Sequence, residues 1–114
     1  MDGVESYEVA VKQVIPAARL SIIKSLSSKY KLNETQISRI MGISQAAVSK
    51  YLSGKYSSGI VYMEGMLDHK LVEECAQAVA GMGREGEVTV NTYICRICKI
   101  KSIVVYAVDI LIYA

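Results

Sequence analysis

Tryptophan and phenylalanine are absent, and histidine and proline occur once each. One histidine leaves little for acid–base or triad chemistry. There is no phosphate-loop, dinucleotide-binding or nucleophile-elbow pattern. The adjacent carboxylates Glu73 and Glu74 would point apart on a helix and read as a solvated face. These absences predict that the chain is not an enzyme. Three cysteines, an odd number, do not make a secreted disulfide framework. The start, MDGVESYEV, is acidic and lacks the apolar run of a signal peptide. No apolar run is long enough to cross a bilayer. The last twelve residues, IVVYAVDILIYA, are too few and carry Asp109. They suit a buried element or a subunit interface, with helix favoured over strand for residues 100–114. The expectation is a soluble, cytoplasmic protein with no membrane partner.

What is present is enough apolar content for a core, 52% against 21% charged. The net charge of +2 hides a gradient. From Lys12 to Lys55 there are eight basic residues and one acid, Glu34, so that segment carries +7. Residues 1–11 carry −3, and residues 56–114 carry −2. A basic block beside an acidic remainder points to a polyanion-binding module joined to something else. The expected division is a DNA-binding domain over 1–56 and a C-terminal helical segment, for dimerisation or regulation, over 57–114.

The pattern predicts an all-α fold. A short helix is expected over Tyr7 to Ile15. Pro16 suits the first turn of the next, whose stripe is Leu20, Ile23, Leu26 and Tyr30. Asn33 followed by Gln36 reads as a capping box. That helix passes through Ile37, Ile40 and Met41 and stops at Gly42. Ser44 caps a further helix carrying Val48, Tyr51 and Leu52, which ends near Ser53-Gly54. One long helix is expected from Ile60 to about Ala80, ended by Gly81-Met82-Gly83. GREGEVTVN reads as a loop with a short alternating piece, and Asn91 as the cap of a last segment from Thr92.

Two helices joined by a short turn containing glycine make a helix-turn-helix. Small Ser38 stands where the first helix meets its partner, and Gly42 where the turn needs positive φ. Ile37, Met41, Ile43, Val48 and Tyr51 take the inward positions. Ser44, Gln45, Ala46, Ser49 and Lys50 remain outward. Gln can bond adenine N6 and N7, Ala can meet a thymine methyl, and Ser and Lys can reach bases or phosphates. Flanking basic residues, Lys55 among them, would hold phosphates.

The run EVAVKQVIPAARLSIIKSLSSKYKLNETQISRIMGISQAAVSKYLSGK resembles archaeal helix-turn-helix transcriptional regulators of the repressor (Cro/XRE-like) type. It is similar to the N-terminal module of archaeal thiamine-biosynthesis repressors. The likeness covers Glu8 to Lys55 and extends weakly to Ile94–Lys99. It implies a helix-turn-helix domain of the repressor-like type, sequence-specific binding of double-stranded DNA, and a homodimer. It implies DNA-facing roles for Gln36, Ser44, Gln45, Ala46, Ser49 and Lys50. The family usually has Ala at Ser38, Pro-Cys-Glu at Ser6-Tyr7-Glu8, and Arg-Gly near Tyr56-Ser57. Nothing after Lys55 resembles the repressors' ligand-binding domain, so no effector is implied.

Cys95 and Cys98 form a C-x-x-C without the second ligand pair of a zinc site. Cys75 falls on an apolar helix face, and His69 lies between Asp68 and Lys70. No cofactor is expected first. The alternatives are a zinc or iron–sulfur site completed across a dimer, or a redox pair, with Cys95 and Cys98 as a sensing site. A further alternative function is a helix-turn-helix that serves only as a protein-interaction adaptor.

Overall fold

A computed structural model describes residues 10–100, with side chains placed from 12 to 97. The expected helix over Tyr7–Ile15 begins outside these residues, and the 101–114 tail lies wholly outside them. A π-helical turn, Ala10–Val14, runs into α1 (Ile15–Ser28). Then follow α2 (Glu34–Met41), α3 (Gln45–Leu52), α4 (Ser58–Gly65), α5 (His69–Val79) and α6 (Gly86–Ile100). The fold class is therefore all-α, as the sequence predicts.

The centre is α1. Pro16 occupies its first turn, where no N–H is required. Of its expected stripe, Leu20, Ile23 and Leu26 are fully buried and Tyr30 is half-buried just past the helix end, but Ala17, Ala18 and Ile22 are fully buried too. The helix is covered on more than one face. Small residues let neighbours approach, and the polar members of the buried surface are paired. Ser21 Oγ donates to Glu64 Oε2 at 3.0 Å, and Ser25 Oγ to Glu73 Oε1 at 3.1 Å. Beside each serine a lysine completes the same link. Lys24 Nζ lies 3.2 Å from Glu64, and Lys29 Nζ 2.8 Å from Glu73. The Lys29 hydrogen bond holds the Glu73 carboxyl below the usual carboxylate range.

The start of α2 follows its capping box. Gln36 N–H donates to Asn33 Oδ1 at 2.8 Å, and Asn33 N–H to Gln36 Oε1 at 2.9 Å. At its end Gly42 adopts φ 69°, and Ile43 N–H reaches the Ser38 carbonyl at 3.2 Å. This is a Schellman-type closure. Ser44 caps α3 by accepting from Ala47 N–H at 3.1 Å.

Two expectations are corrected. The single helix expected over Ile60–Ala80 is two, broken at Met66-Leu67-Asp68. The apolar spacing of Met63, Leu67 and Leu71 runs through the break and hides it. Asp68 makes the restart, accepting from Lys70 and Leu71 N–H at 3.0 and 3.3 Å. Of the expected loop GREGEVTVN, only Gly83-Arg84-Glu85 is a turn; from Gly86 the chain is already α6, which begins there rather than at Thr92. Val90, Ile94 and Ile97 form its buried stripe. Burial at helical spacing outweighs the strand preference of Val88-Thr89-Val90. Asn91 is exposed within the helix and caps nothing.

One apolar cluster takes Val14, Ile22, Ile23, Leu26, Ile37, Ile40 and Val48 from before position 57. It takes Leu67, Leu71, Val72, Cys75, Val79, Val90, Ile94 and Ile97 from after it. The start of α6 seats directly on the α2–α3 turn. A side chain added at Gly86 would press on Ile40, and one at Gly42 would overlap Glu87.

Candidate nucleic-acid interface

The turn Gly42-Ile43-Ser44 is short, so α2 and α3 must cross rather than stack in line. Val48 is fully buried, and Ile43, Tyr51 and Leu52 pack half-buried against the core. These inward anchors fix the rotation of α3. Gln45, Ala46, Ser49 and Lys50 are then all exposed, one and four residues apart along one outer face. Ser44 and Gln36 are exposed at the starts of α3 and α2.

Ser44 and Gln36 already have local work. The Ser44 hydroxyl accepts from Ala47, and Gln36 Oε1 accepts from Asn33. What remains free to Gln36 is its side-chain NH2 and one lone pair of an Oε1 already held against the helix start. Gln45 has neither constraint, so it is the residue best able to make a two-bond contact with a base edge. Lys55 is exposed beyond the end of α3, and with Lys50 it lines a cleft against α1 and α4.

The charge of the basic block is modified by the fold. Among the described residues the ion pairs are Lys24–Glu64 and Lys29–Glu73. Both partner acids come from beyond position 56, so two of the eight basic residues are paired at the surface with helices of the later half of the chain. Lys31, Arg39, Lys50 and Lys55 are exposed on the α2–α3 side of the sequence. Arg84 joins Arg39 in lining a shallow cleft at Gly42 and Glu87. Sequence reasoning missed Arg84, because only the folding of α6 onto the turn brings it there. It also missed Tyr56, which borders the Lys50–Lys55 cleft.

The cysteines separate clearly. Cys75 is fully buried, and burial pushes its thiol up to about 12. Cys95 is exposed on α6, beside Arg96, whose guanidinium lies 5.1 Å from the Tyr93 ring centre. Cys98 follows three residues later on the same helix, but its side chain lies outside the described ones. No three metal-ligating side chains come together among the described residues. Because the thiolate is the nucleophile, Cys95 should alkylate with iodoacetamide in the native protein at least about a hundredfold faster than Cys75. Peptide mass spectrometry against time reads this directly, and equal rates would mean that the helices over Cys75 open freely.

No helix among the described residues is long and apolar enough to cross a membrane. No protein-family model, curated protein or solved structure matches the chain.

Proposed function

We propose that the chain is a sequence-specific regulator of transcription that binds double-stranded DNA as a homodimer. The segment Ser44–Leu52 would enter the major groove. The observation that carries this reading is the two-sidedness of α3. Val48 is sealed in the core, while Gln45, Ala46, Ser49 and Lys50 stand exposed on small neighbours. Short side chains let a helix backbone approach base edges, and Gln and Lys supply the polar reach. The exposed cations around the turn give a sequence-independent phosphate attraction. An adaptor would need neither. The homodimer follows from the need to reach two half-sites roughly 34 Å apart. The surface best suited to it is α4 with the residue that follows it: no residue of α4 is buried, and Val61, Tyr62 and Met66 are 51%, 67% and 47% exposed.

Selection of bound duplexes from a random pool tests the reading, and a palindromic consensus is the expected product. On that site Gln45→Ala should weaken binding by roughly 1–3 kcal/mol and relax preference at one base position. Lys50→Ala should either do the same or reduce the salt slope by about one. A pool that yields no consensus, with no salt-dependent binding to random duplex, would favour the adaptor.

A further inference from the structure

A cleft of about 490 Å³ opens where the end of α3 meets the loop after it and the starts of α1 and α4. Its volume lies in the range of small-molecule sites, about 300–1,000 Å³. The floor is apolar. Pro16, the Tyr51 ring and Ile60 form it, and Tyr51 and Ile60 are backed by the core. The rim is cationic, with Lys50 and Lys55 both exposed and no carboxylate in the lining. Half-buried Tyr56 offers a second ring and a phenol.

These features select one ligand chemistry. A neutral ligand would gain nothing from the two ammonium groups at the rim. A bare phosphate, or a backbone phosphate of DNA, would meet the lysines but leave the apolar floor wet. A flat aromatic body with one carboxylate answers both. Its ring gains contact with Pro16, Tyr51 and Ile60, and its carboxylate gains charge-assisted hydrogen bonds at the rim.

Lys50 also belongs to the outward face of α3. A carboxylate that holds Lys50 withdraws it from a phosphate or base edge. Occupancy of the cleft and of DNA would therefore oppose each other, and reciprocally so. We propose that this cleft binds a small aromatic carboxylate, its ring on Pro16, Tyr51 and Ile60 and its carboxylate between Lys50 and Lys55, in competition with DNA. The competition rests on the DNA-binding reading, whereas the binding itself does not.

The test uses the full chain and 2-naphthoate as probe, titrated without DNA and followed by amide chemical shifts. Saturable binding is expected, with shifts centred on Ala47, Tyr51, Tyr56 and Ile60. The uncharged isostere 2-naphthamide should bind roughly tenfold more weakly, and Lys55→Ala should weaken naphthoate by a similar factor. Tyr56→Ala should weaken both probes alike, and Tyr56 is not part of the core cluster, so helix content and Tm should hold. Equal affinity for acid and amide, unsaturable binding, or indifference to Lys55→Ala would overturn the site. On the duplex from the selection, saturating naphthoate should raise the apparent Kd for DNA severalfold. Unchanged DNA affinity at saturation overturns the competition. If the chain binds naphthoate but no DNA, the cleft stands and the regulator reading falls.

Discussion

A fragment containing only residues 1–56 is expected to show no cooperative unfolding, under conditions where the whole chain melts as one unit. The sequence divides naturally at that point, because the basic helix-turn-helix segment ends there and the charge changes sign. The packing does not respect the division. Leu20, Ile22, Ile23 and Leu26 of α1 have no exposed surface, and α5 and α6 are among the helices packed on α1. Fully burying one such side chain contributes about 1.5–3 kcal/mol. Losing half of that burial at four positions removes roughly 3–6 kcal/mol. A whole small domain has about 5–15 kcal/mol of net stability. The fragment also loses Glu64 and Glu73, the partners of Ser21, Lys24, Ser25 and Lys29. It loses α6, which seats on Ile40 and Gly42 and so braces the α2–α3 turn. Thermal and urea melts followed by circular dichroism read the outcome. A sigmoidal transition from the fragment would establish 1–56 as an independent domain.

That dependence explains which features were legible in the sequence. The α2–turn–α3 unit is written in neighbouring residues. Asn33 and Gln36 satisfy each other three positions apart, Gly42 supplies the left-handed end, and Ser44 caps within three residues. Each signal is complete within one turn of chain. The break before α5 was obscured because an apolar spacing of three or four is the same on one helix or two. Only the Asp68 cap distinguishes them. The start of α6 was obscured because Val88-Thr89-Val90 prefers a strand until Val90 is buried against other helices. The partners of Lys24 and Lys29 lie 40 and 44 residues away, beyond any local pattern. The basic block therefore read as more available to a polyanion than the fold leaves it. For the candidate site, the outward residues of α3 followed from helical period alone. The Lys50–Lys55 cleft did not, since it needs Pro16 and Ile60 brought in from two other helices.

Gly42→Val is expected to destabilise the protein by about 3 kcal/mol, and to lower Tm by roughly 10–20 °C. Gly42 sits at φ 69° and ψ 31°. An L-residue in that region places its Cβ against the following carbonyl, at a cost of about 1–2 kcal/mol, and β-branching makes the fit worse. The added side chain would also overlap Glu87 at the start of α6. The two contributions separate experimentally. Gly42→Asn should lose only about 1 kcal/mol, because Asn tolerates the left-handed region. Adding Glu87→Ala to Gly42→Val should restore less than about 1 kcal/mol, because the exposed Glu87 chain can swing aside whereas the backbone angle cannot. The consequence would reach the proposed function through geometry. The turn sets the angle at which α3 leaves α2, and a valine that survives by opening the turn would tilt Gln45 and Ser49 away from a common base edge. DNA affinity of Gly42→Val should therefore fall well below wild type even at temperatures where the variant remains folded, while Gly42→Asn binds nearly normally. Equal melting temperatures for Gly42→Val, Gly42→Asn and the wild type would show that the left-handed turn is not what holds α2 and α3 in register.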